Sequence, residues 1–282
     1  MKLSNNDLTV IEHIKKSIMT NEKTSKIFSH HKQKYSIDEL LKNVFIVLKN
    51  GISFREITNY TDICWNTVYK FFIKLTKNNI INQIYKNSIN MYLTKINKSE
   101  NKKYLYIDTT IIPNKLGIND ISINPQLKKH KSSKISVIID DYEIPIDCNV
   151  YKSSINDAKI ADMQINDIVK NYPLLCSNNN ILIGDAAYDS NNIRDKLKNL
   201  KIGKLLTPKN KRNTKDKNKI KNQKLDFTEK MILNKRISVE HTINRYKQFK
   251  RLNNRYDKKS KNFQTFLFIA SLLIFNSKTH IL

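Results

Sequence analysis

The spacing of apolar and polar positions divides the chain into two regimes. From Ser36 to about residue 100 the period is helical. Ser36-Ile37-Asp38-Glu39 has the form of a capping box, and Leu40, Leu41, Val44, Phe45 and Leu48 follow at the intervals of one buried helix face. Gly51 supplies a stop. Ser53-Phe54-Arg55-Glu56 repeats the capping pattern. It predicts a short helix, a turn near 59–62, and a third helix with Val68, Phe71, Phe72 and Leu75 as its buried stripe. Residues 1–35 are more polar and predict a helix followed by a loose arm. Beyond residue 100 the runs become shorter and richer in β-branched residues. Strands are predicted over 104–108, ending at Asp108, over 181–183 and over 204–206, with a hairpin of 134–139 and 143–150 around Asp140-Asp141. Helices are predicted over 156–169 and 190–200. A last one, with Phe266, Leu267, Ile269, Ala270, Leu273 and Ile274, should cover one sheet face. This order predicts an α/β fold, a mixed sheet flanked by helices, behind an all-helical N-terminal part. The division is drawn at 1–97 and 98–282.

Two short helices joined by a tight turn, the second displaying Asn66, Tyr69 and Lys70, read as a helix-turn-helix. Its second helix would enter the major groove of DNA. The same pattern also fits an ordinary small helical bundle. Trp65, which opens that helix, reads as core. Charge shifts the balance toward DNA. Lys and Arg total 51 against 25 Asp and Glu, a formal net charge of +26, and a chain that repels itself this strongly suits a polyanionic partner. Heavy use of Lys, Asn and Ile is also what AT-rich coding produces. In a loop spanning 207–228, Lys209, Lys211, Arg212, Lys215, Lys217, Lys219, Lys221 and Lys224 are relieved only by Asp216 up to Lys224, with Asp226 following. That composition reads as a solvated segment without fixed structure when unbound, and equally as an arm that tracks DNA. Cys64, Cys148 and Cys176 form no CxxC pair, so neither zinc nor a disulfide framework is indicated. The first residues lack a signal-peptide core, and the apolar stretch 263–275 is shorter than the about 20 residues a bilayer needs. A soluble, intracellular protein without a membrane partner is expected.

Three acids stand out by position. Asp108 and Asp185 each leave the end of a predicted strand, where ligand sites of open α/β sheets form, and Glu240 lies mid-helix. Gly184 would let a backbone or substrate approach closely beside Asp185. If the three acids meet within a few ångströms, they could hold two Mg²⁺ ions about 4 Å apart, a clamp for the attacking and leaving oxygens of a phosphodiester. Arg236, Glu240 and Lys247 share one helix face, as a metal ligand between two phosphate binders would. A plain surface ion pair of Arg236 with Glu240 is the alternative. Among the neighbours, His241 reads as a helix-surface residue, with a group supporting Glu240 as the alternative, and Asp157 as a cap or dipole partner with metal assistance as the alternative. Tyr188 is expected to pack beside the site, with no role assigned to it. Lys131 and Lys134 flank a strand start, where they contact DNA or are solvated.

Taken together, these segments resemble the insertion-sequence DDE transposases. The group's Arg-x3-Glu-x6-Lys signature stands here as Arg236, Glu240 and Lys247, with Leu233 where many members carry a tyrosine. "IDTT", "KSSKIS", "NDAK", "GDAAYDS", "FKRLNNRYDKKSKNFQTFLFIASLLIF" and "GISFREI…WNTVYKFF" are also similar to the family, over about residues 36–276. The resemblance implies an RNase H-like catalytic domain and a DNA transposase that nicks the element ends and joins the freed 3′-OH to target DNA. Asp108 would bridge two Mg²⁺ ions (Mn²⁺ can substitute), Asp185 and Glu240 would each hold one, and Arg236 and Lys247 would grip phosphates. It also implies a homodimer or higher oligomer on double-stranded DNA, located with DNA in the nucleoid, or in the nucleus of a eukaryotic host. Some relatives insert a β-rich domain between the second and third acids; here only the basic loop fits. A nuclease or resolvase on the same fold, and a catalytically dead, domesticated DNA-binding relative, are the competing readings.

Overall fold

The computed structural model describes residues 3–28, 34–96, 103–123, 130–210 and 225–282. Five helices come first: α1 (Asn5–Thr20), α2 (Glu22–Phe28), α3 (Ile37–Asn50), α4 (Trp65–Lys77) and α5 (Ile80–Ile96), with a 3-10 turn at Phe54–Asn59. Ser4, Ser36 and Ser53 each close a capping box, and Gly51 ends α3 in the left-handed conformation at φ 69°. The two boxes expected at Ser36 and Ser53 are therefore present, and the second opens a 3-10 turn. Residues 29–33, part of the arm expected near the start, lie outside the described residues.

The remaining elements are β1 (Tyr104–Pro113), β2 (Ser122–Ile123), β3 (Lys131–Ile139), β4 (Pro145–Lys152), α6 (Asp157–Asn171), β5 (Ile181–Ile183), α7 (Asn191–Asn199), β6 (Lys204–Leu206), α8 (Phe227–Asn234), α9 (Ile237–Gln248), α10 (Lys250–Asn253) and α11 (Ser260–Thr279). The sheet runs β4-β3-β1-β5-β6, antiparallel from β4 to β1 and parallel from β1 to β6, with β2 on the start of β3. This is the RNase H-like arrangement. The parallel half needs crossovers, and α6 and α7 supply them. β3 is buried along all but its first residue, as a strand covered on both faces must be. β1 does not stop at Asp108. It continues through Thr109, Thr110, Ile111 and Ile112, because β3 goes on pairing with it as far as Pro113 opposite Ser132.

The last helix is more than a cover. α11 packs on β4 on one side and on α1, α4 and α5 on the other, and all but five of its residues are buried. Leu, Ile and Phe therefore surround it instead of forming one stripe. Phe266 stacks on Phe72 of α4 with ring centroids 4.5 Å apart. Arg251 of α10 adds a polar tie: its guanidinium holds Asp257 at 2.9 and 3.1 Å and donates to the Ile52 carbonyl at 2.9 Å. Arg255, fully buried, donates to Ser133 Oγ at 2.7 Å and to the Asp120 carbonyl at 3.2 Å, pinning the β1–β3 connection.

Because one apolar core runs from α1 through α11 into the sheet, the helices and the sheet should unfold together. Phe266→Ala is expected to cost about 3–5 kcal/mol. In urea melts followed by far-UV circular dichroism it should move a single transition without splitting it.

Candidate active site

The register of the parallel strands sets the site. Tyr104, Leu105 and Tyr106 of β1 pair with Ile181, Leu182 and Ile183 of β5. Carried two residues further, that register puts Asp185 level with Asp108 on the neighbouring chain, and strands lie about 4.8 Å apart. Asp108 belongs to a paired strand and Asp185 follows one, so both backbones are held by the sheet. Asp185 also starts the 3-10 turn Ala186–Tyr188, with its carboxylate accepting from the Ala187 N–H at 2.7 Å. Gly184 has a different reason from the one its sequence suggests. A β-carbon there would meet the Tyr188 ring at 2.6 Å; the ring itself takes the close approach. Tyr188 is buried, and its hydroxyl has no partner in hydrogen-bond geometry among the described residues.

Burial raises the Asp108 carboxyl from 3.8 to about 6. The Thr109 N–H, which donates to it at 2.8 Å, and the Arg236 charge oppose the shift, while Asp185 and Glu240 add to it. The three acids thus share one electrostatic neighbourhood with Arg236. They do not form a ligand shell: among the described residues no three His, Cys, Asp or Glu side chains converge where an ion could sit. Glu240 lies in the first turn of α9 rather than mid-helix. Its half-exposed carboxylate turns to Arg236 at 3.2 Å, the plain ion pair. The donor set nevertheless fits a hard divalent cation. All three are carboxylates, and Asp108 carries a negative field that the protein leaves partly uncompensated.

The other expected residues separate. Lys247 is exposed on α9. Pro208, Lys230, Leu233, Arg236, Ile237 and Glu240 line a cleft of about 430 Å³, so Leu233 gives this wall an apolar side chain and no hydroxyl. Lys131 is exposed at the start of β3, six residues from the partner of Asp108 and so about 20 Å along the strand. Lys134 is a correction: only 7% exposed, it is neither solvated nor free for DNA. Its ammonium donates to Asp157 at 2.7 Å and to the Ile155 carbonyl at 2.9 Å. Asp157 also accepts from the Thr109 hydroxyl at 2.9 Å, so this acid, at the start of α6, braces β1 beside Asp108. His241 is on the surface, 3.6 Å from Glu143. In α4, Tyr69 and Lys70 are exposed, and Asn66 and Trp65 are half-buried. Tyr69 rests edge-on against Phe54. Of the basic loop, residues 211–224 lie outside the described residues.

The sign of the Asp108 shift yields a prediction. A carboxyl whose folded pKa is raised favours folding while protonated, and that contribution is lost as pH rises from about 4 through about 6. Without divalent metal, Asp108→Asn should therefore stabilise the fold at pH 7.5 by on the order of 2 kcal/mol and have no effect at pH 4. Thermal melts in EDTA at the two pH values measure this; equal shifts would contradict it.

A family model described as "Transposase DDE domain" matches residues 101–275. No curated protein sequence matches the chain. Among solved structures, a piggyBac transposase synaptic complex with hairpin DNA aligns over 95% of this chain and 73% of its own, at 9% identity and a TM-score of 0.51. A pre-cleavage Mos1 transpososome covers 98% of both chains at 13% identity, with a TM-score of only 0.28. The family match spans more than half of the chain, and by it the chain belongs to the DDE transposase family.

Proposed function

We propose that this transposase cuts DNA at the element ends and joins the freed 3′-OH to target DNA by divalent-metal-dependent, in-line phosphoryl transfer, with Asp108, Asp185 and Glu240 as the metal-holding carboxylates. The observation that carries the reading is the β1–β5 register, which levels Asp108 with Asp185, together with the influence of Asp185 and Glu240 on the Asp108 carboxyl. Hairpin DNA in the piggyBac complex of similar fold supports the substrate class. Two Mg²⁺ ions, or Mn²⁺, would activate the attacking oxygen and stabilise the leaving one. The chain's own residues would do the rest. Asp108 and Asp185, on the sheet, hold their carboxylates in place without rearrangement. Glu240 would join them in holding the ions by exchanging its contact with Arg236. Arg236, released, and Lys247 on the same helix meet the phosphates on either side of the cut. Asn66, Tyr69 and Lys70 on α4 would contact the end sequence, and Lys131 and the basic loop the flanking backbone. Two or more copies on double-stranded DNA belong to this reading, as does a location with the genome. No described helix is long and apolar enough to cross a membrane. The helices through residue 97 would serve recognition, and residues 98–282 the chemistry.

Asp185→Asn should lower Mg²⁺-dependent cleavage of a duplex from the DNA flanking the gene by 10³-fold or more, roughly the scale of losing one transition-state electrostatic contact, while leaving duplex affinity within about twofold. Unchanged cleavage would remove the carboxylate assignment. Pre-cut ends incubated with a target plasmid should give joined product; hydrolysis alone would make the protein a nuclease. Lys247→Ala should reduce the slope of log affinity against log salt by about 1, irrespective of sequence.

A further inference from the structure

The turn between β3 and β4 holds three acids in four residues, and each grips a different part of the fold. Asp140, buried, accepts from the Tyr92 hydroxyl of α5 at 2.5 Å and from the N–H groups of Tyr142 and Ile144 at 3.0 and 2.9 Å. Asp141 accepts from the Tyr106 hydroxyl at 3.2 Å and the Tyr104 N–H at 3.1 Å, both on β1. Glu143 closes the turn at φ 60°, in the left-handed region where a β-carbon is crowded and glycine or asparagine is usual. Its side chain, 19% exposed, meets Lys278 of α11 at 2.5 Å, Arg245 of α9 at 3.3 Å and His241 of α9 at 3.6 Å. Burial opposes its charge, but Lys278, Arg245 and His241 outweigh burial and hold the carboxyl below its ordinary range.

A strained backbone kept where glycine would relax it suggests a side chain with a task. The task follows from α9. This helix begins at Ile237 with no side-chain cap, and α8 before it has no fully buried residue, meeting the core only through the partly buried Ile232 and Leu233. Near its end the Tyr246 hydroxyl bonds Ser271 Oγ of α11 at 2.6 Å; otherwise the helix packs through the apolar Val239 and Ile243, contacts that have no direction. Ion pairs do. We infer that Glu143 is a positioning residue for Glu240: it fastens α9 to the β3–β4 turn through Arg245 and His241, and to α11 through Lys278. The same turn holds β1 through Asp141, so one loop sets the Glu240 helix against the Asp108 strand. This rests on Glu240 being the third catalytic carboxylate.

Glu143→Gly and Glu143→Asn test it, because both residues accept φ 60° and leave the turn relaxed. With the duplex from the gene-flanking DNA, kcat should fall roughly 10- to 100-fold, the effect of a displacement of about 1 Å. KM and melting temperature should stay near wild type. The rise in melting temperature given by saturating Mg²⁺ should shrink, and Glu143→Gln, which keeps an acceptor for Lys278 and Arg245, should recover part of the rate. Variants that fold and cleave like wild type would overturn the inference. If both fail to fold, Arg245→Met and Lys278→Met decide from the other side of the clamp: lowered kcat at constant KM supports it, and unchanged kcat overturns it. Glu240→Gln separates the two levels. If it cleaves normally, the catalytic assignment is wrong; if it is dead while the Glu143 and clamp variants are active, only the positioning role is.

Discussion

A carboxylate kept partly out of water on a strand that β3 pairs past its position is the constraint around which this fold is arranged. Asp108 cannot relax outward, because β3 bonds β1 from Tyr106 through Pro113, Asp108 included, and β5 bonds it as far as Tyr106. Arg236, the cation whose charge favours its ionised form, is engaged with Glu240. What steadies it is indirect. The Thr109 N–H lies on its carboxylate, and the Thr109 hydroxyl leads through Asp157 to the buried Lys134. Lys134 thus compensates Asp157 and leaves the Asp108 field open, which is the state a divalent ion would complete.

The three acids are anchored unequally, and the difference follows from their elements. Asp108 and Asp185 inherit their spacing from hydrogen bonds between strands, which fix register to a single residue. Glu240 inherits its position from a helix that follows a break at Lys235 and Arg236. Sites carried on regular elements are held more closely than sites beside irregular backbone; Glu240 follows such a break and turns to Arg236, and the three acids form no ligand shell among the described residues. The ionic clamp at Glu143 lies where that weaker anchorage would need support.

Periodicity made the larger elements legible, because capping boxes, the hairpin and the short parallel strands are local signals. What escaped was set by distant partners. β1 runs past Asp108 only because β3 continues beside it, and no pattern within 104–113 states that. Gly184 read as room for substrate, whereas the ring of Tyr188, four residues on, takes the space. Lys134 looked like one more basic residue among 51, yet Asp157 makes it a core group. Arg251 and Arg255 are similar: both sit in a motif quoted for its resemblance, and both turn inward. The basic count therefore overstates the charge that can face DNA, although the excess of +26 leaves ample surface for it. The acidic turn at 140–143 read as a plain hairpin connection, and its reach to β1, α5, α9 and α11 is visible only in three dimensions.

The energetic consequence is a division of labour. An ionised, desolvated acid flanked by two others destabilises whatever carries it, as functional sites commonly do. The compensation has to come from elsewhere, and here it lies in α11. A helix buried on nearly all sides joins the sheet to the N-terminal helices in one core, so apolar burial in those helices stabilises the part that holds the acids. Separating the two would remove packing partners of Phe266, Phe268 and Phe275 along α11. It would leave the sheet to bear the carboxylate repulsion with a smaller core. In this chain the N-terminal helices are therefore structural partners of the catalytic sheet, whatever else they bind.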